Sequence, residues 1–211
     1  LDKAFAELGR DARMEEKYPI IKVRYQSTNC YFIPADGGLL AFDAGWPGTY
    51  RAYKDELRAQ GWSVKDIRWL MVSHFHPDHA GLAGVLLENG LEFVVFHEQL
   101  GAIAEMESLI ARKAMPYHAI NLAKISLIKI TASREWLARI GIRGEVLQTN
   151  GHSADSVSLL LDSGEAFVGD LVPESMLVED DLISKASWVL LRQKGARIVY
   201  PAHAEAFVLS D

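Results

Sequence analysis

The sequence of 211 residues holds a single cysteine, Cys30, which excludes an internal disulfide, a disulfide-stapled scaffold and a zinc cluster built on cysteines. It has no run of five or more basic residues. Its 22 Lys and Arg are outnumbered by 28 Asp and Glu, for a formal charge of −6. Affinity for polyanions rests on basic side chains neutralising phosphates, so a general nucleic-acid binder is excluded. No apolar stretch reaches the roughly 18 residues of a membrane span. The opening Leu1-Asp2-Lys3-Ala4 lacks the apolar region of a signal peptide. The expectation is a cytoplasmic protein whose partner is a small molecule, with neither membrane nor nucleic acid involved. Low-complexity tracts, tandem repeats and linkers long enough to separate domains are also missing.

What is present suits a well-filled core, with 49% hydrophobic residues against 24% charged. A chain of this length buries roughly 70% of its unfolded surface and needs no staples. Strands are expected at 20–25, 29–34 and 39–43, the last two joined by Asp36-Gly37-Gly38. A helix follows that carries Tyr50, Tyr53 and Leu57 at helical spacing, with Gly61 as its cap. The nearly continuous apolar run 67–73 reads as a buried strand. Later helices are expected at 81–88, 99–113, 133–139 (with a capping serine at its start) and 185–194. Strands are expected at 92–96, 124–130, 145–149, 157–161, 166–169 and 197–200. This alternation implies a layered α/β protein, one domain over 1–211.

Five of the seven histidines fall in three motifs, each directly after an expected strand. The first is Ser73-His74-Phe75-His76-Pro77-Asp78-His79-Ala80-Gly81, the second Gly151-His152-Ser153, and the third Pro201-Ala202-His203. Asp170 closes a fourth strand in Val168-Gly169-Asp170. In extended chain, side chains two apart point the same way, so His74 and His76 can hold one ion together. Pro77 turns the chain out of the strand, which lets Asp78 and His79 face a second position. His152 completes the first set and His203 the second. Asp170 has two carboxylate oxygens and can bridge ions at the roughly 3.5–4 Å spacing of two-metal sites.

In this order HxHxDH, GHS, GD and PAH resemble the metallo-β-lactamase superfamily, over nearly the whole chain from the Leu39–Gly45 stretch to His203. The resemblance implies an αββα sandwich with a metal site at one edge of two sheets. It implies that His74, His76 and His152 hold the first metal, that Asp78, His79 and His203 hold the second, and that Asp170 bridges. The third-ligand motif reads Gly151-His152-Ser153-Ala154-Asp155-Ser156, where many members continue in a Thr-Pro-Gly-like way, so Asp155 is expected to support a ligand here. Cys30 lies far from every motif and is expected in the core.

A water bound to such ions has its pKa lowered to about 7, and the hydroxide can attack a polarised carbonyl. The leading expectation is therefore a dinuclear hydrolase of a small ester, lactone or thioester, with two divalent ions, zinc first and iron or manganese as alternatives. Asp78 is expected to have an added catalytic role, orienting the hydroxide or taking a proton. Asp43, Ser73 and Ser153 are expected to support the ligands, and Trp46, Tyr117 and His118 to line the pocket. A helical lid insertion is expected at about 98–142. Glu174, Glu179, Asp180 and Asp181, after Asp170, would repel polyanions at the rim. Two other readings stand beside this one: a mononuclear-iron persulfide dioxygenase, and a metal-dependent binding module without turnover.

Overall fold

A computed structural model describes residues 20–210; the Leu1–Ala4 reading lies outside them. The first sheet has the order β1-β2-β3-β4-β5-β6. Its strands are β1 (Ile21–Tyr25), β2 (Thr28–Ala35), β3 (Gly38–Phe42), β4 (Ile67–Met71), β5 (Glu92–Phe96) and β6 (Ser126–Ile128). The first three pair antiparallel, and β3 to β6 run parallel. The second sheet has the order β11-β10-β9-β8-β7. It contains β7 (Gly144–Gln148), β8 (Val157–Leu161), β9 (Glu165–Gly169), β10 (Ile198–Pro201) and β11 (Phe207–Val208), with β9 and β10 parallel and the other pairs antiparallel. The helices are α1 (Tyr50–Ala59), α2 (Pro77–Ala80), α3 (Ala83–Glu88), α4 (Ala102–Arg112), α5 (Ser133–Arg139) and α6 (Leu182–Gln193). No helix among the described residues is long and apolar enough to cross a membrane.

Strand alternation explains the layering. On β2, Cys30 and Phe32 face a core shared with α1, α3 and α4, while Tyr31 and Ile33 face the second sheet. β3 repeats this with Leu39 and Ala41 against Leu40 and Phe42, and β5 with Phe93 and Val95 against Val94 and Phe96. On β9, Phe167 enters the layer between the sheets, and Ala166 and Val168 face α6. Apolar residues on both faces of a strand require cover on both sides. Three stacked hydrophobic layers meet that requirement, giving the αββα sandwich. Cys30 sits in the first of them, where burial raises its thiol pKa well above the ordinary value, helped by the charges of Asp43 and Asp78.

Differences from the sequence reading have local causes. The expected strand 124–130 shortens to β6, because only Ser126, Leu127 and Ile128 find partners on β5. The expected helix 81–88 begins two residues late, as α3 with Leu82 as its cap, and the short helix α2, which the sequence reading does not expect, precedes it. Ser133 is the first helical residue of α5, not its cap, and its hydroxyl accepts the Val146 N–H on β7. Segment 98–142 is also more structural than a lid. It supplies β6 to the first sheet, and α5 sends Trp136 and Leu137 into the layer between the sheets.

Phe167 anchors that middle layer, stacked on Tyr200 at 5.0 Å with Tyr31 edge-on at 5.3 Å. Phe167→Ala should lower the unfolding free energy by about 3–5 kcal/mol in denaturant titration. A loss below about 1 kcal/mol would show that this layer does not hold the sheets together.

Candidate metal centre

Every motif residue follows the C-terminal end of a strand. β3 and β4 are parallel, as are β9 and β10, and β7 shares the β9 direction through antiparallel β8. Their ends open on one edge of the sandwich, where loops from both sheets meet. His74 and His76 leave the loop after β4, with His76 capping α2 and Pro77 as the first helical residue. Proline suits that position because its missing N–H would have no intrahelical partner there. His152 follows β7, Asp170 follows β9, and His203 follows β10.

The side chains form two groups whose candidate ligand atoms lie within 4.8 Å of one another: His74, His76 and His152, then Asp78, His79, Asp170 and His203. In the first, His152 Nε2 faces His76 Nδ1 at 3.0 Å. In the second, His203 Nε2 lies 3.3 Å from Asp78 Oδ2 and 3.1 Å from Asp170 Oδ1, and His79 Nε2 lies 3.3 Å from the same Asp170 oxygen. The other Asp170 oxygen, Oδ2, is 3.6 Å from His152 Nε2. One carboxylate thus turns an oxygen to each group.

Three histidines have Nδ1 held by the protein, which leaves Nε2 for the centre. His203 donates Nδ1–H to the Ser27 carbonyl at 2.7 Å, and His79 donates to Asp43 Oδ2 at 2.9 Å. The Ser73 hydroxyl donates to Asp43 Oδ2 at 3.0 Å and is left to accept from His74 Nδ1, also at 3.0 Å. Asp43 is fully buried, also accepts the Ser73 N–H at 2.7 Å, and holds a φ of +70° that few non-glycine residues adopt.

Burial pushes the Asp78 and Asp170 carboxyls up, but contacts with His203 and His79 outweigh it and hold both well below the usual range. The same contacts, Asp170 first and then Asp78, push His203 up to about 10. Burial lowers the pKa of His79, yet the Asp43 charge and the other carboxylates raise it overall. Burial keeps His74 and His152 below the ordinary imidazole value. The carboxylates of this group thus favour positive charge beside them.

The chemistry of the donor set fits divalent cations. His74 Nε2 is buried without a hydrogen-bond partner, and His79 Nε2 and Asp170 Oδ1 are buried facing each other at 3.3 Å without the alignment of a hydrogen bond. Each such atom costs about 1–3 kcal/mol unless something satisfies it. Imidazole nitrogens and carboxylate oxygens at this density match zinc and its first-row neighbours.

Of the supporting residues read from sequence, Asp43, Ser73, Ser153 and Asp155 are all at the centre. Asp155 accepts the Phe75 N–H at 2.7 Å and the Ser153 hydroxyl at 2.8 Å, so it ties the loop of His152 to the loop of His74 and His76. Trp46 is half-buried, with its indole 3.4 Å from the Ser27 hydroxyl, next to the carbonyl that holds His203. Tyr117 and His118 are not brought into either group. Tyr117 donates to Glu107 at 3.0 Å, and the His118 backbone packs against Gly84. Two of the expected rim acids have structural roles, Glu174 in a bidentate pair with Arg192 and Asp181 as the cap accepting Ser184 N–H.

Two residues escaped the sequence reading. Gln99 is fully buried and donates to the carbonyls of Val72, Ser73 and Asp155, within 3.1–3.3 Å. Asn29 donates to the carbonyls of Pro201 and Ala204 on either side of His203. Both are single amides in ordinary stretches of sequence, and only their burial marks them. A cleft of about 470 Å³ lined by Phe75, His76, Met106, Leu109 and Asp155 opens beside the first group.

A family model, Lactamase_B, of the metallo-β-lactamase superfamily, matches residues 23–203. A hydroxyacylglutathione hydrolase of Bradyrhizobium sp. (strain BTAi1) is 30% identical over 134 residues, 63% of this chain and 42% of the relative; that of strain ORS 278 is 29% identical over the same shares. The match therefore spans less than half the length of these curated relatives. The crystal structure of a metallo-β-lactamase family protein from Thermus thermophilus superposes with a TM-score of 0.69 at 20% identity, covering 90% of this chain and 74% of that one. A protein crystallised in a di-iron-bound form gives 0.66 at 18% identity, covering 90% and 94%. At these identities the structural likeness is one of fold.

Asp43→Ala removes the acceptor that orients His79 and Ser73. It should weaken metal affinity about 10–100-fold in competition with a chromogenic chelator. Unchanged affinity would show that Asp43 serves the loop alone.

Proposed function

The chain belongs to the metallo-β-lactamase superfamily, and from that premise we propose that it is a hydrolase that uses two divalent metal ions, zinc foremost, to open a small ester, lactone or thioester. The observation that carries this reading is Asp170, whose two oxygens face the two groups of ligand-type side chains separately. In this reading His74, His76 and His152 hold one ion, Asp78, His79 and His203 hold the other, and Asp170 is shared.

The ions, when bound, supply Lewis acidity toward the carbonyl and a water that ionises near neutral pH. The chain's own residues do the rest. The hydrogen bonds that three imidazoles donate to Asp43, Ser73 and the Ser27 carbonyl fix their rings before substrate arrives, which removes reorganisation from the reaction. Asp78, kept ionised by its contacts with His203 and His79, is the carboxylate that orients the attacking water. No side-chain nucleophile is assigned: Cys30 is buried in the core, and the Ser73 and Ser153 hydroxyls are engaged by neighbours. The cleft beside His76 has room for a small substrate. The hydroxyacylglutathione hydrolases among the relatives support acyl transfer to water and favour thioesters within the proposed class.

The test is metal content on protein purified without added metal, followed by turnover of an ester, lactone and thioester panel. About two zinc or manganese ions per chain are expected, with turnover abolished by a chelator and restored by the metal. Asp78→Asn should lower kcat about 10²–10⁴-fold. One iron per chain with oxygen uptake on a persulfide, or turnover indifferent to chelation, would overturn the reading.

A further inference from the structure

On a chain with a formal charge of −6, one surface gathers positive charge. Two adjoining clefts, about 350 Å³ and 220 Å³, share Val64, Lys65 and Asn89 as a common wall. Lys54, Arg58, Lys65 and Arg68 line them, and none of the lining residues is acidic. Arg58 reaches Asp55 at 3.3 Å in a largely exposed pair, which screens it only weakly. The same clefts hold two aromatic rings. Tyr50 and Trp62 are half-buried and packed on the core beneath the first sheet, so each ring is anchored on one side and turned to the cleft on the other. Lys54 Nζ stands 4.9 Å from the centre of the Tyr50 ring, a cation–π contact that fixes the charge beside the aromatic surface.

These clefts are not part of the metal centre. Arg68 lies at the start of β4, with Val64 and Lys65 in the turn just before it, whereas His74 lies beyond its end. At about 3.3 Å per residue the two places are roughly 20 Å apart along the strand. No residue lining either cleft belongs to the two ligand groups.

Clustered cations in cleft walls that carry no acid among the described residues call for an anion, and two aromatic faces beside them call for a planar ring. We propose that this basic, aromatic groove binds a small organic phosphate that carries an aromatic ring, of the nucleoside monophosphate kind. Lys65, Arg68 and Lys54 meet the phosphate, and Trp62 stacks on the ring. The combined space lies in the range of small-molecule pockets. Base–aromatic stacking does not depend on base identity, so the groove accepts purine and pyrimidine alike.

The test is isothermal titration of the purified chain with adenosine 5′-monophosphate, adenosine and inorganic phosphate. The monophosphate should bind saturably at one site, about 10-fold or more tighter than either fragment, and weaken as ionic strength rises. Lys65→Glu with Arg68→Glu changes two exposed side chains, and an unchanged melting temperature will verify the fold. That double variant should weaken the monophosphate at least about 10-fold. Trp62→Leu should weaken the monophosphate and leave inorganic phosphate unaffected. Asp170→Asn, at the metal centre, should leave the affinity for the monophosphate unchanged, with the melting temperature again verifying the fold. The proposal is overturned by any of four results: no saturation up to about 10 mM; a monophosphate no tighter than phosphate alone; indifference to charge reversal; or loss of binding in the Asp170 variant, which would relocate the site to the metal centre. The readout is binding, independent of turnover, so the groove and the hydrolase reading stand or fall separately.

Discussion

Fully buried after β3, the Asp43 carboxylate takes three hydrogen bonds, from the Ser73 N–H, the Ser73 hydroxyl and His79. Its own N–H goes to the Met71 carbonyl, and the next N–H, of Ala44, goes to the His79 carbonyl. One side chain therefore sets both the path of the chain leaving β4 and the rotation of a ligand-type imidazole. A buried carboxylate is tolerated only when its oxygens are satisfied, and the +70° backbone angle at Asp43 adds a further cost of order 1–3 kcal/mol. The surroundings must over-determine this arrangement for it to persist. They do so through parallel strands that deliver Asp43 and Ser73 side by side at the same edge.

That dependence explains which parts of the centre the sequence made legible. Ligand-type residues crowd into six positions between His74 and His79, and the others stand at strand ends, so spacing alone exposes them. The layered fold is equally open, because β2, β3, β5 and β9 carry apolar residues on both faces, a pattern that only two-sided burial explains. Helix α5 and strands β5 and β8 fall where periodicity puts them.

What spacing does not reveal is the long-range polar work. Gln99 bridges two loops through three carbonyls, and Asn29 braces the loop of His203 from 174 residues away in the chain. Ser27 contributes a main-chain oxygen, which any residue could offer. Such roles depend on what the fold brings alongside, and a lone amide or a backbone carbonyl has no pattern in sequence. Tyr117 and His118 show the converse. Aromatic and imidazole groups in a long connection suggest a pocket wall, yet tight packing of that stretch of chain on Gly84 directs them elsewhere. The short strand β11 has two residues, both exposed, and so offers no apolar alternation to read.

The two groups of ligand-type residues draw on both sheets: His74 and His76 from the first meet His152 from the second, and Asp78 and His79 meet Asp170 and His203. Main-chain bonds cross at the same edge, from Val157 N–H to the Ser73 carbonyl and from Asn29 N–H to the Ala202 carbonyl. A cation held there acts as a removable cross-link between halves of the chain that lie far apart in sequence. The unfolded chain has no such meeting point, so occupancy adds to folding stability by mass action, about 2.7 kcal/mol at a hundredfold excess over the dissociation constant. In the hydrolase reading, the same ions that serve turnover would also brace the two sheets at their shared edge, so that metal removal would lower the melting temperature as well as the activity.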